Sequence, residues 1–111
     1  MANVLIEKVG AVGGLEVEIW TEDFQHAVEG HPEVRLDKVR GALKYPSKVI
    51  QSKSSSNTCL FYSIEIKIHK TESLYFCVVV AVTSSGKGKM VTAYDADFIK
   101  TGIELYSKNK R

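Results

Sequence analysis

A chain of 111 residues, 44% hydrophobic and 25% charged, has the length for one domain with a modest core and the composition of neither a disordered polyelectrolyte nor a fibrous repeat. Its longest apolar run, LYFCVVVAV over 74–82, suits one buried strand and falls short of the roughly 20 residues a spanning helix needs, while the start MANVLIEKVG has no signal-peptide pattern, so a cytoplasmic location without a membrane partner is expected. The net charge of +2 divides unevenly: residues 1–46 carry five basic and eight acidic side chains and residues 47–111 ten and five, so the second half is the one suited to a polyanion.

In chain order, VLIEKVGAVGGLEVEIW predicts two short strands joined at Gly13-Gly14, because Leu15, Val17 and Ile19 alternate with Glu16 and Glu18. A helix is expected next. Thr21 offers a hydroxyl to its free amides, Glu22 and Asp23 suit the positive end of its dipole, Phe24, Ala27 and Val28 make its apolar side, and Gly30 ends it. Pro32 predicts the first turn of a second helix, on which Leu36, Val39 and Leu43 recur at helical spacing until Tyr45-Pro46 stops it.

From residue 47 onward the pattern is that of strands. SKVIQS (47–52) is a short one and KSSSN (53–57) a polar turn. TCLFYSIEIKIH (58–69) predicts a long strand with Leu60, Tyr62, Ile64, Ile66 and Ile68 on a core side and Phe61, Ser63, Glu65, Lys67 and His69 on a wet side. SLYFCVVVAVT (73–83) is apolar on both faces, as a central strand is. The loop SSGKGK lacks the spacing of a Walker phosphate loop and leads into a strand, MVTAYDA (90–96), so it reads as a flexible hairpin loop exposing Lys87 and Lys89 to a phosphate backbone. The tail is expected to add a helical turn around Phe98 and Ile99 before a frayed basic end. Cys59 and Cys77 lie in strand-like runs without metal-ligand spacing and read as packed thiols. The sum is a single domain over 1–111 of α+β class, with two N-terminal helices packed on a twisted, mainly antiparallel β-sheet.

Two constellations offer chemistry. His26 and His31 would point about 140° apart on one continuous helix, but a break at Gly30 and Pro32 lets both imidazoles turn toward one cleft, where histidine suits acid–base work near neutrality. Equally, His31 can flank a helix end and His26 can be solvated; a zinc site lacks a third ligand beside them and Glu33. Thr92 and Tyr94, two apart on a strand, share a face and offer two hydroxyls to a phosphate oxygen, although both are also ordinary strand formers.

The order of these motifs, Trp20, His26, His31-Pro32-Glu33, ALKYPSKVI, LFYSI, VVV and VTAY, resembles that of the phage-type nucleases of the barnase/EndoU/colicin/RelE-like (BECR) superfamily over residues 17 to 105. The resemblance implies metal-independent cleavage of RNA without a cofactor, in a toxin-like or phage-derived setting that would add an antitoxin or immunity protein as partner. It assigns His26 and His31 as acid and base and Thr92 and Tyr94 as hydroxyl donors to the phosphorane. Arg35 and Lys67 are the candidates for the cleft cation, with Lys87 and Lys89 as further substrate contacts. The competing class is a non-catalytic RNA- or protein-binding module on the same fold, favoured by Phe61 if it stands exposed on the wet face. A homodimer through an exposed strand edge is compatible with either.

Overall fold

The computed structural model describes residues 3–64 and 75–108. It opens on a hairpin of β1 (Leu5–Gly10) and β2 (Glu16–Trp20), turned at Gly13 and Gly14, whose φ of 84° and 80° are open to glycine because it has no Cβ. Helices α1 (Thr21–Gly30) and α2 (Leu36–Lys44) follow, then β3 (Lys48–Ser52), β4 (Thr58–Ile64), β5 (Tyr75–Ser84), β6 (Lys87–Ala96) and β7 (Gly102–Ser107). The strands make one seven-stranded sheet in the order β1-β2-β6-β5-β4-β3-β7. Among the described residues only β2 and β6 run parallel; the remaining neighbours are antiparallel. The expected mixture of helices with a mainly antiparallel sheet is therefore present, but the helices are not N-terminal to it. The β1–β2 hairpin precedes them and joins the far side of the same sheet.

One face of the sheet carries the main core. Val17 and Ile19 of β2, Phe76, Val78 and Val80 of β5 and Met90 of β6 pack there with Ala27 of α1 and Val39, Ala42 and Leu43 of α2. The opposite face has its own smaller core of Ile50, Leu60, Tyr62 and Cys77, onto which Tyr94 and Ile99 pack. Strand β5, fourth of the seven, contributes to both, which is why its sequence is apolar on both faces.

Four expectations are corrected. Both sides of β4 are covered: Phe61, assigned to the wet side, is only 2% exposed in the main core, while Ile64, assigned to the core side, is 61% exposed. Residues 65–69 of the expected strand lie outside the described residues. The α1 amides are capped from a distance: Asn3 Oδ1 accepts the Glu22 N–H at 3.1 Å, whereas Thr21 Oγ1 accepts the Val4 N–H at 2.9 Å. Pro32 belongs to a turn between the helices, since α2 begins only at Leu36. The tail forms no helical turn but an edge strand, β7, pairing with β3; a Cβ at Gly102 would strike the Gln51 carbonyl, so glycine permits that close docking.

The sheet is tied to its helices by charge as well as by packing. Arg40 of α2 makes a forked contact with Glu7 of β1, with Nε at 2.8 and 2.9 Å from the two carboxylate oxygens. The Arg40 hydrogen bond holds the Glu7 carboxyl below its ordinary value against a smaller burial penalty, with Lys44 adding to the pull. A carboxylate whose pKa falls on folding adds stability above its unfolded pKa, about 4.3, and loses it as pH drops through the folded value. Glu7→Gln is therefore expected to melt below the parent at pH 7, and the gap between the two melting temperatures should close on acidification below about pH 4. A gap independent of pH would refute this role for the pair.

Cys59 lies in the main core and Cys77 in the opposite one, so the sheet itself separates the two free, buried thiols. Among the described residues, no helix is long and apolar enough to cross a membrane.

Candidate active site at the open edge of β6

Strand β2 pairs with only the first residues of β6, Lys87 to Lys89, and then turns into α1. Among the described residues no strand pairs with the C-terminal half of β6 on that side, and its backbone groups need other partners. The segment between the helices provides one: Glu33 Oε2 accepts the Asp95 N–H at 3.1 Å. Lys38 adds a contact to Asp95 Oδ1 at 3.4 Å and lies 4.5 Å above the Phe76 ring.

These contacts fix His31. Its backbone N–H caps α1 by donating to the Ala27 carbonyl at 2.8 Å, and its own carbonyl accepts the Val34 N–H at 3.0 Å, closing the turn through Pro32 and Glu33. Its Nδ1 stands 3.5 Å from Glu33 Oε2. Burial disfavours the Glu33 charge, but backbone N–H groups of Asp95 and Glu33 itself, with His31 and Lys38 nearby, outweigh it and hold the carboxyl below its ordinary value. Glu33 thus stands within ion-pair range of Nδ1, on the opposite side of the imidazole from Nε2.

Tyr94, near the end of β6, meets that imidazole with ring centroids 5.7 Å apart at 39°. The two rings wall a cavity of about 330 Å³ together with Tyr62, Ala96, Phe98 and two opposite charges, Asp97 and Lys100. Burial, then the neighbouring Cys77, push the Tyr94 hydroxyl well above its ordinary value, so it is a neutral donor throughout the range in which histidine titrates. Tyr62, fully buried, is pushed up to about 12 by burial although the Lys100 N–H donates to its oxygen at 3.1 Å. That bond and the packing of Ile99 fold residues 97–101 back over the second core, bringing Lys100 to the cavity.

The expected site residues thus separate. Registers of Val79 with Thr92 and Cys77 with Tyr94 put both hydroxyl residues on one face, that of the second core, but Tyr94 walls the His31 cavity and Thr92 does not. His26 is exposed on α1 on the side opposite Phe24, Ala27 and Val28, and does not wall the His31 cavity. Arg35 is exposed and pairs with Asp37 at 3.2 Å. Lys87 and Lys89 sit at the other end of β6, on the order of 17 Å or more from Tyr94 along the strand. Their loop is tight, not loose: Gly86 turns it at φ 74°, its carbonyl accepts the Glu16 N–H at 2.8 Å, and Lys89 reaches Asp23 at 3.2 Å. Lys67 lies outside the described residues.

Lys100 and Tyr62 were not anticipated at the site. The one available signal was the lysine in DFIKTG directly after a strand carrying VTAYD, which the expectation of a separate helical tail obscured. Another cavity, of about 280 Å³, lies on the helix-bearing face beside Leu15, Cys59, Phe61, Leu105 and Tyr106; it is almost wholly apolar and has no histidine, carboxylate or lysine in its lining. Among the described residues no group of three or more His, Cys, Asp or Glu side chains is placed to hold a metal ion. The chain matches no protein-family model, no curated protein and no solved structure.

Proposed function

We propose that this chain is a metal-independent endoribonuclease of the BECR type, cleaving RNA by attack of a ribose 2′-hydroxyl on the adjacent phosphate. The observation that carries the proposal is the meeting of His31 and Tyr94, taken from separate motifs of the sequence, in one cavity with Lys100. In this scheme His31 exchanges protons through Nε2 while Glu33 holds the ring. His31 Nε2 takes the 2′-hydroxyl proton as the 2′-oxygen bonds to phosphorus, the bond to the 5′-oxygen breaks, and that oxygen leaves with the proton returned by the imidazolium. Tyr94 and the Lys100 ammonium stabilise the extra charge on the phosphorane. The expected histidine pair reduces at this cavity to one imidazole, and the neutral Tyr94 hydroxyl is the second proton-bearing group beside it. An antitoxin or immunity protein covering this cavity would complete the toxin-like reading.

The test is cleavage of a broad RNA panel in EDTA by folded protein, with 2′,3′-cyclic phosphate and 5′-hydroxyl ends as the expected products. Intact RNA across the panel, or 5′-phosphate ends, would sink the proposal. A second reading, binding without cleavage, loses Phe61, which is buried, but is supported by Phe98, 67% exposed at the mouth of the cavity and free to stack on a base.

A further inference from the structure

A second cavity of about 390 Å³ adjoins the first and shares Tyr94 and Lys100 with it as walls. Its other walls include Lys53, Ser54, Thr58 and Thr101, and no carboxylate lines it. Neither Lys53 nor Lys100 has an ion-pair partner among the described residues, whereas Lys8, Lys38, Lys48 and Lys89 each have one. Two lysines lining one carboxylate-free hollow make it a region of positive potential that favours an anion.

The turn that carries Lys53 is internally braced. Ser52 and Ser54 hydroxyls are 3.0 Å apart, the Ser54 N–H reaches Ser52 Oγ at 3.2 Å, and Thr58 donates to Ser55 Oγ at 3.1 Å. Lys53 is thus presented from a shaped turn rather than a loose one. Leu60, Val79 and the Tyr94 ring give the hollow an apolar floor. A phosphate held by lysines beside such a floor, next to a cavity with an exposed aromatic at its mouth, suits single-stranded nucleic acid, in which charged linkages alternate with flat bases.

We infer that the β3–β4 turn forms a second phosphate subsite, in which Lys53 binds the RNA phosphodiester neighbouring the one held at His31 and Lys100, so that the strand runs from Phe98 past Tyr94 toward Ser54. This rests on the ribonuclease reading for its substrate but makes a separate prediction about binding. The probe is a 2′-O-methyl tetranucleotide, which has the phosphates and cannot be cut.

Lys53→Ala is expected to weaken that probe roughly 3- to 10-fold at low salt and to reduce the slope of log affinity against log salt by about one, because one phosphate contact is gone. Lys53→Glu should weaken it further. With cleavable RNA, the parent should show a lower KM for a trinucleotide than for a dinucleotide, and Lys53→Ala should erase that advantage while kcat for the trinucleotide stays within about twofold. Lys53 is exposed, so loss of folding does not cloud the result. If the parent cuts no RNA but the probe still weakens with Lys53→Ala, the ribonuclease reading fails and the subsite stands. If affinity and salt slope are the same in both variants and the parent, or if the parent binds no probe at low salt, the subsite is overturned whether or not RNA is cut.

Discussion

Replacing His31 by alanine is expected to slow RNA cleavage by about 10²- to 10⁴-fold, the usual worth of a positioned general acid or base. The imidazole is half-exposed, and the backbone bonds that cap α1 and close the following turn are ones alanine keeps. The variant should therefore melt close to the parent, separating loss of chemistry from loss of fold. Initial rates in EDTA on the best substrate from the panel, with thermal melts of both proteins, check it. A rate equal to the parent's would remove His31 from the mechanism. Rate loss matched by a large fall in melting temperature would move it to a structural role instead.

The largest expected effect on stability is at Phe61. Truncating it to alanine should cost about 3–5 kcal/mol, the range for a phenylalanine removed from a packed core, because it is buried with Val49 and Cys59 in the main hydrophobic cluster. A side chain on a solvated face would change stability by only about 0.5 kcal/mol. Denaturant unfolding of the variant and the parent distinguishes the two, and a loss below about 1 kcal/mol would return Phe61 to the surface position its alternation in the sequence suggests.

That alternation shows where local pattern stops being informative. Leu60 and Tyr62 were legible as buried because they are apolar and two apart, and they are buried. Phe61 was assigned to the wet side by default, since Ser63, Glu65 and Lys67 share its parity. It is buried because it lies in the core on the helix-bearing face, while Leu60 and Tyr62 are covered by residues 97–101 returning from far along the chain. The same kind of distant partner explains the α1 cap, where Asn3 does what Thr21 was expected to do. Strand β7 escaped notice because Ile103 and Leu105 are exposed on an edge strand with an irregular register, so no buried face marks it.

The site divides similarly. His31, Thr92 and Tyr94 were recognisable as residue types able to handle protons and phosphate. The encounter of His31 with Tyr94, which leaves Thr92 outside the cavity, depends on β2 leaving β6 after Lys89, which opens the strand edge that Glu33 then satisfies. His26 and His31 looked equivalent while only the break between them was known; the helix places His26 on its solvent side and the turn places His31 on Tyr94.

By itself, then, the sequence determined the hairpin at Gly13-Gly14, the end of α1 at Gly30, the end of α2 before Tyr45-Pro46 and the central place of β5, all set by φ preferences or by side-chain periodicity within a few residues. Only the tertiary structure decided which faces are covered, which histidine reaches Tyr94 and that Lys100 supplies a cation there. Those outcomes depend on backbone groups and side chains far apart in the chain finding partners in space, which no local pattern encodes.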